Sequence, residues 1–332
     1  MFSSDIRVYT TCPQSKDVPN HYLDNVTQVS QWSEAAGCTG MLIYSDNSIV
    51  DPWLVAQTVI QATHSLAPLV AVQPVYMHPY AVAKMVTSLG LLHGRAVALN
   101  MIAGGFRGDL IALGDPTEHD QRYDRMVEYC QIIQGLLGGQ KVTLEGRYYT
   151  VQGLQLTPTL PPHCAPLFLM SGSSPAGRAA SAAIGATSVE YPEPVKLINQ
   201  TSISGDRGIR VGIIAHESAD EAWRIALDRF PSNRRGHFQH VMAMRTSDSS
   251  WQQRLGSLAQ EADHEPEGVY WLWPFKQYHT FCPYLVGDYP SVAREIAHYL
   301  RLGYSTFILD IPRDETDLTA AIEVFRQARV MA

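Results

Sequence analysis

A complete strand–helix–strand unit occupies residues 167–190, which read LFLMSGSSPAGRAASAAIGATSVE. The apolar run Leu167–Ser171 predicts a strand, and Pro175 suits the first turn of a helix that continues to Ile184. A second strand is predicted at Ala186–Glu190. Two strands joined by a helix are typical of α/β proteins, in which the strands form a parallel sheet.

The same alternation continues on both sides of this unit. The other predicted strands are Ile6–Thr11, Met41–Tyr44, Leu69–Gln73, Ala96–Ile102, Ile209–Ile214 and Thr306–Asp310. The other predicted helices are His21–Ala36, Pro52–His64, Tyr80–Leu92, His119–Leu137, Pro194–Ser204, Ala219–Phe230, Ser291–Leu302 and Asp314–Ala328. Eight strand–helix repeats in 332 residues predict a (β/α)8 TIM barrel. The alternative is a doubly wound open sheet.

The barrel prediction treats residues 1–332 as one domain with insertions after strands 4 and 7. Lys141–Leu156 alternates around two glycines and is predicted to be a small hairpin. Residues 231–286 are too long for a simple loop and are rich in Trp, Tyr and Phe. We interpret this second insertion as an ordered segment that covers an active site.

The composition excludes several classes of protein. Hydrophobic residues make up 45% of the chain and charged residues 17%, which is enough to build a large core. Because 32 acidic and 25 basic residues give a net charge of −7, neither nucleic acid nor a membrane surface is expected as a partner. Apolar runs are too short to span a membrane, and no signal peptide is apparent. Five scattered cysteines indicate reduced thiols and a cytoplasmic location.

The mouth of the predicted barrel is poor in chemically reactive groups. Active sites of such barrels lie where the strands end. No paired carboxylates and no metal-ligand spacing fall at these positions, so no metal is expected and no catalytic residue is assigned.

Three polar features at the strand ends are candidate binding sites. Gly172, Ser173 and Ser174 precede a helix, so hydroxyl and N–H groups converge at its positive end, as in a phosphate site; an ordinary N-cap is the alternative. His119, Arg122 and Tyr123 share one face of a helix start and either meet an anion or face solvent. Asn100, near the end of an apolar strand, needs a hydrogen-bond partner if it is buried.

Taken together, the segments of this chain resemble the bacterial luciferase-like flavin-dependent monooxygenases, and most of all the alkanesulfonate monooxygenase group. The resemblance runs through GCTGMLIYSDNSIVDPWLVA, LVAVQP, HGRAVALNMIAGG, HDQRYDR, LFLMSGSS, DEAW and LVGD, in that order. It implies a TIM barrel that uses FMN, with reduced FMN supplied by a separate flavin reductase. It also implies O2 and a small organic molecule as substrates.

The resemblance assigns roles to particular residues. It implies that Ser173 and Ser174, with Gly172, hold the flavin phosphate, and that Tyr123 and His119 line the same site. Asn100 would face the isoalloxazine edge, with its neighbour Met101 in the same site and Gln73 beneath the ring.

Two structural expectations also follow from the resemblance. A cis peptide bond that does not involve proline is expected between residues 69 and 73. A homodimer is expected through helices Pro52–His64 and Tyr80–Leu92, whose apolar residues include Trp53, Leu54, Val59 and Ile60.

The chain departs from the alkanesulfonate group where that group has basic residues. Thr11 and Cys12 stand where a His is expected, and Ile49 stands where a Cys is expected. An Arg expected after strand seven is absent from the segment GIIAH, and Lys276 is the candidate substitute for a second Arg. A simple alkanesulfonate substrate is therefore not expected. Substrate contacts are assigned to Cys12, Tyr44, Asp46, Lys276 and Tyr278.

Two alternative functions stay open. One is an oxidoreductase that uses the deazaflavin F420, whose polyanionic tail would need basic residues such as Arg107, Arg234 and Arg235. The other is a flavin-binding protein without catalysis.

Overall fold

The computed structural model describes residues 6–17, 19–104, 107–198, 205–246, 249–262, 264 and 267–332. Contacts divide the chain into two compact units. Unit 1 contains the residues up to 11, residues 35–38 and the residues from 189 onward, and unit 2 contains residues 12–34 and 39–188.

The described residues form twelve strands, and eight of them make a ring. The strands are β1 (Arg7–Thr11), β2 (Gly40–Ile43), β3 (Ala67–Val72), β4 (Ala98–Ile102), β5 (Val142–Glu145), β6 (Thr150–Leu154), β7 (Phe168–Ser171), β8 (Thr187–Glu190), β9 (Arg207–His216), β10 (Tyr270–Trp271), β11 (Tyr284–Asp288) and β12 (Tyr304–Leu309). Neighbours pair in the order β10-β11-β9-β12-β1-β2-β3-β4-β7-β8, and β8 also pairs with β9. The last pairing closes eight strands into a parallel barrel, which confirms the predicted TIM barrel.

Helices separate the barrel strands. They are α1 (Tyr22–Ala35), α2 (Pro52–Ala62), α3 (Pro79–His93), α4 (Arg107–Ala112), α5 (His119–Leu137), α6 (Pro175–Ala183), α7 (Ala219–Arg229), α8 (Arg234–Thr246), α9 (Ser250–Gln260), α10 (Trp273–Lys276), α11 (Tyr289–Arg301) and α12 (Glu315–Met331). Three of these helices, α2, α3 and α6, begin with proline directly after a residue whose side chain accepts a hydrogen bond from a first-turn N–H, and α11 has the same kind of cap with proline as its second residue. The sequence thereby fixes where the loop at the barrel mouth ends and the helix begins.

The two predicted insertions contain additional elements. The predicted hairpin is formed by β5 and β6, which pair antiparallel. The second insertion contains α8, α9, β10 and α10. It ends in β11, a strand that the sequence did not predict. This strand pairs with residues 212–216 of the long strand β9, whose residues 207–211 pair with β12.

Two local predictions need correction. The predicted helix Pro194–Ser204 contains only a 3-10 turn at Val195–Leu197, and its residues 199–204 lie outside the described residues. The cis bond predicted between residues 69 and 73 is wrong: within the described part of the chain, only Thr157–Pro158 is cis. Strand β3 instead keeps a regular register with β2 through Val70 and with β4 through Val72.

Searching the described residues for a helix that is both long and apolar enough to cross a membrane finds none.

Candidate active site at the barrel mouth

The start of α6, directly after barrel strand β7, has the form of an anion-binding site. Ser174 is buried and is the N-cap residue, and its hydroxyl oxygen accepts the N–H of Gly177 at 3.0 Å. Ser173 is half-buried, and its hydroxyl makes no hydrogen bond to the described part of the chain. The first N–H groups of a helix have no partner within the helix and point outward with the positive end of its dipole. Pro175 has no N–H and the Gly177 N–H already donates to Ser174, so an anion here would meet the Ala176 N–H and two serine hydroxyls.

Tyr123 of α5 lies directly against this turn. A Cβ atom at Gly172 would overlap the Tyr123 hydroxyl oxygen and would lie 3.1 Å from two carbons of its ring. Only glycine therefore lets the phenol reach the loop between β7 and α6. The structure thus brings together Gly172, Ser173, Ser174 and Tyr123, which the sequence assigned to one site.

His119 stands one helical turn before Tyr123. The two ring centroids are 5.3 Å apart in an edge-on arrangement, and His119 Nδ1 lies 2.7 Å from a carboxylate oxygen of Asp120. About a quarter of the His119 side chain is exposed. His119 therefore stands beside the phenol, at the more open side of the site.

Arg178 is a component that sequence reasoning missed. It lies four residues after the N-cap Ser174, and its guanidinium folds back to donate a hydrogen bond to the Ser173 carbonyl oxygen. Its charge therefore lies beside the two serines. An arginine in the first turn of a helix that follows a serine-rich loop was the available signal. We call Tyr123, Gly172, Ser173, Ser174 and Arg178 the α6 cradle.

The residues assigned to the flavin ring lie on neighbouring strands of unit 2. Asn100 of β4 is buried, and its side-chain oxygen accepts the hydroxyl of Ser171, the last residue of β7, at 3.0 Å. Gln73 follows β3 and donates from its amide nitrogen to the Ser45 carbonyl at 3.1 Å. Met101 is fully buried, and because side chains alternate along a strand it points away from the face that Asn100 uses.

The substrate residues assigned in unit 2 differ in environment. Cys12 is buried, and burial raises the pKa of its thiol to about 12, even though a hydrogen bond with Tyr22 acts in the opposite direction. It is therefore a neutral, unreactive thiol. Tyr44 is half-buried. Asp46 accepts the N–H and the hydroxyl of Ser48, both at 2.6 Å, in a local turn.

The substrate residues assigned in unit 1 lie in its insertion. The Lys276 ammonium group donates to the carbonyl oxygens of Gln260 at 3.1 Å and Ala262 at 3.0 Å, so it stabilises the end of α9. Tyr278 is half-buried and has a φ of 59°, a left-handed conformation that is uncommon for a residue with a side chain. Such strain is frequent at functional sites.

Unit 1 also holds a polar cluster that sequence reasoning missed. Asp310, directly after β12, accepts the Thr280 hydroxyl at 2.5 Å, the Tyr284 hydroxyl at 2.9 Å and the Arg210 guanidinium at 3.2 Å. Burial would raise the pKa of Asp310, but Arg210 and the two hydroxyls hold it below its ordinary value. We call these four residues the Asp310 cluster. The signal in the sequence was an arginine within the apolar run of β9. This arginine precedes the segment GIIAH, in which an Arg was expected.

The fold defines a class of protein: a TIM barrel in which a serine-capped helix start follows the fifth barrel strand. The chain belongs to the luciferase-like monooxygenase family, whose model matches residues 6–306. A relative from Niallia circulans, the 4-(gamma-L-glutamylamino)butanoyl-[BtrI acyl-carrier protein] monooxygenase BtrO, is 34% identical over 313 residues, which are 90% of this chain and 91% of the relative. The chain is thus a flavin-dependent monooxygenase of this family.

Solved structures show the same fold at lower identity. A long-chain alkane monooxygenase, LadA, superposes with a TM-score of 0.73 at 16% identity, over 99% of this chain and 92% of that one. An F420-dependent secondary alcohol dehydrogenase superposes with a TM-score of 0.66 at 16% identity, over 98% of this chain and 99% of that one. The name of the second protein specifies F420, whereas that of the first specifies a monooxygenase.

Proposed function

We propose that this chain binds FMN in the α6 cradle and uses the reduced form with O2 to oxygenate an organic substrate. The observation that carries the proposal is the contact of Tyr123 with Gly172 at the capped start of α6. The contact places a phenol, two serines and a helix N-terminus around one point, and a phosphate monoester is the part of FMN that such groups bind.

In this proposal each residue has a limited task. The hydroxyls of Ser173 and Ser174 donate to the phosphate oxygens, and Arg178 adds positive charge. Asn100, fixed by Ser171, presents its amide to the edge of the ring. Bound reduced flavin supplies the electrons with which O2 is activated. The protein orients the ring and excludes water.

The cofactor is tested by following the fluorescence of FMN, and separately of F420, on addition of the protein. We expect saturable quenching of FMN. The Ser174→Ala variant loses a hydrogen bond to a charged group, which costs about 1.5–3 kcal/mol, so the FMN dissociation constant should rise by about ten- to a hundredfold.

A matched variant separates binding from folding, because Ser174 also caps α6. Ser174→Asp keeps an N-cap acceptor but places a negative charge against the phosphate. We expect it to unfold at the wild-type temperature while binding no FMN. Wild-type FMN affinity in Ser174→Asp, or tight binding of F420 and not FMN, would remove FMN from this site.

A separate flavin reductase as the source of reduced FMN is part of the proposal. Turnover should then be the same with photoreduced FMN and with a reductase that regenerates it.

A cytoplasmic location is also proposed, and it is supported by five cysteines that are all free and buried.

A homodimer through α2 and α3 is likewise proposed. Of the apolar residues named for this surface, Trp53, Val59 and Ile60 are buried within the protomer, whereas Leu54 is 66% exposed. Leu92 on α3 is 76% exposed. Light scattering at micromolar concentration should give twice the chain mass, and the double variant Leu54→Glu with Leu92→Glu should give one chain mass.

The role of residues 231–286 as a cover stays a prediction.

For the substrate, we propose an acyl group attached to a carrier protein. The support is the relative from Niallia circulans, whose name specifies such a substrate and which matches nine-tenths of this chain. Oxygen uptake with acylated carrier protein, compared with the free acid, tests this proposal.

A further inference from the structure

Helix α8, in the insertion of unit 1, exposes a stripe of two cations and two apolar side chains. Arg234, Arg235, Phe238 and Met242 are exposed, and at 100° per residue they fall within one side of the helix. Phe238 is 65% exposed, and among the described residues it is the one exposed phenylalanine. We call these four residues the α8 stripe.

The charge of the α8 stripe is not neutralised by the rest of the molecule. The thirteen residues of α8 contain no Asp or Glu, although the whole chain carries a net charge of −7. Neither Arg234 nor Arg235 forms an ion pair within the part of the chain that the structure describes, in contrast to Arg224, Arg229 and Arg254. A positive patch is therefore presented on an acidic protein.

The opposite side of α8 is fixed to the body of unit 1. Asn233 caps the helix by accepting the N–H of Gly236 at 3.0 Å, and its own N–H donates to the Gln277 side chain at 2.8 Å. A Cβ at Gly236 would overlap the Gln277 carbonyl oxygen. His240 is buried, with its ring 4.8 Å from that of Phe275. The stripe is thus carried on a helix that is held at its start and packed on its opposite side.

This support connects to the end of a barrel strand. Gln277, which holds the start of α8, is three residues from Thr280, whose hydroxyl donates to Asp310 directly after β12. In TIM barrels the carboxyl ends of the strands form the face that contains the active site. The α8 stripe therefore belongs to the part of unit 1 that is attached to that face.

We propose that the α8 stripe is the docking surface for an acidic acyl-carrier protein, which presents its acyl thioester on a flexible phosphopantetheine arm. The inference rests on the proposed function, because it assumes a carrier-borne substrate. Phe238 and Met242 fit the apolar positions of an amphipathic helix, and Arg234 and Arg235 pair with acidic residues beside them.

Other ligands of a cationic patch fit less well. The tail of F420 needs positive charge but gains nothing from an exposed phenylalanine and methionine. An RNA would meet a molecule that is acidic as a whole. A flavin reductase is a different class of partner, and its involvement is one outcome of the experiment below.

The experiment uses the full chain and a phosphopantetheinylated acyl-carrier protein. Binding is followed by fluorescence anisotropy of the labelled carrier at low and high salt. In the double variant Arg234→Glu and Arg235→Glu we expect affinity to fall by about tenfold or more, and the dependence on salt to weaken. The control is Arg294→Glu with Arg326→Glu, which changes the net charge equally on exposed positions of α11 and α12.

A second variant, Phe238→Ala, tests the apolar part without changing charge, and we expect about tenfold weaker binding of the carrier. Both variants should quench FMN fluorescence as the wild type does. Unchanged carrier affinity in both variants, or an equal loss in the control, overturns the proposal. Loss of turnover only when a reductase supplies the flavin would assign the stripe to the reductase instead. Loss of FMN binding in the wild type would overturn the proposed function and leave the carrier measurement valid.

Discussion

The α6 cradle brings the polar groups of a loop and a helix end together at one turn, whereas in the Asp310 cluster the carboxylate and the guanidinium pair with each other. The cradle uses serine hydroxyls, first-turn N–H groups and a guanidinium bound to a backbone carbonyl. The Asp310 carboxylate accepts two hydroxyls and pairs with Arg210. Both regions follow barrel strands, so their position alone does not distinguish them.

The comparison shows how a ligand-binding site can be distinguished from a structural cluster that also follows a barrel strand. A group that already has its hydrogen bonds within the protein gains little from a ligand, while a donor whose partner is water gains the net difference between water and the ligand. We therefore expect substitutions in the Asp310 cluster to affect stability first and those in the cradle to affect FMN first.

The largest effect is expected for Asp310→Asn. The side chain keeps its shape but leaves the Arg210 guanidinium, which is 6% exposed, without its counter-ion. Removing one partner of a buried ion pair costs about 3–5 kcal/mol. The measurement is the free energy of unfolding in urea at neutral pH.

Asp206→Asn is the control for Asp310→Asn. Asp206 also pairs with an arginine, Arg7 at 3.0 Å, but its side chain is 65% exposed. Exposed pairs contribute about 1 kcal/mol or less. Equal losses in the two variants would show that the Asp310 cluster is not a buried structural unit.

The next effect is expected for Gly172→Ala, which tests the cradle. The new methyl group overlaps the Tyr123 hydroxyl, and Gly172 does not need a left-handed backbone, so the clash is the whole effect. Overpacking of this kind costs about 1–3 kcal/mol, and we expect FMN affinity to fall because the loop moves. Unfolding and FMN titration are measured together.

Tyr123→Phe should relieve part of that clash, because it removes the overlapping oxygen and leaves contacts at 3.1 Å. The double variant should therefore be more stable than the sum of the two single variants predicts. Gly108→Ala, which is in helix α4 and has nothing within 4 Å of its Cβ, is the control and should be at least as stable as the wild type. Strict additivity would mean that Tyr123 and Gly172 are not in contact.

Local patterns predicted most of the fold and the cradle. The alternation of strands and helices predicted the barrel because each strand–helix repeat lies within about 30 consecutive residues. The cradle was predictable because its serines are adjacent and form a helix start. The Asp310 cluster was not, because Arg210 and Asp310 lie 100 residues apart and meet only through the strand register. Strand β11 was missed because its first residues, 284–286, lie within the predicted insertion.

The errors have a common physical source. The cis bond expected between residues 69 and 73 came from resemblance, and the ladder of β3 with both neighbours gives no local reason for it. The contact of Lys276 with the end of α9 is likewise not visible in the sequence, and the substrate contact assigned to Lys276 stays a prediction. Contacts between distant segments decide such cases, and a single sequence does not contain them.

A smaller effect, with a pH dependence, is expected from Glu34 in unit 2. Burial would raise the pKa of Glu34, but the N–H groups of Ser65, His64 and Leu66, and the Ser65 hydroxyl, lower it to about 2. Because the folded pKa lies below the ordinary value of 4.5, the stabilisation is present above that pH. It is lost as the pH falls from about 4.5 towards 2.

Glu34→Gln removes this pH-dependent term. At neutral pH we expect a loss of about 1 kcal/mol, because the carboxylate is partly exposed and solvent screens it. Unfolding curves between pH 7 and pH 3 should fall more steeply for the wild type than for the variant. Glu323→Gln, which removes a pair with the exposed Arg326 on α12 that also lowers the pKa of Glu323, is the control and should change that slope less than Glu34→Gln does. Parallel curves for Glu34→Gln and the wild type would contradict the assignment.

The smallest effect is expected for Lys276→Met. This variant tests whether Lys276 has a structural role, like the Asp310 cluster, or contacts the substrate. Its ammonium donates to two carbonyls at the end of α9, where a positive charge also interacts favourably with the helix dipole. Methionine keeps the packing of the stem, so the loss should be about 0.5–1 kcal/mol. If Lys276 acts only on α9, kcat/KM for the oxygenated substrate stays at the wild-type value. A large rise in KM with unchanged stability would instead place Lys276 against the substrate. Lys84→Met, an exposed lysine on α3 with no ion pair in the described residues, should change neither quantity.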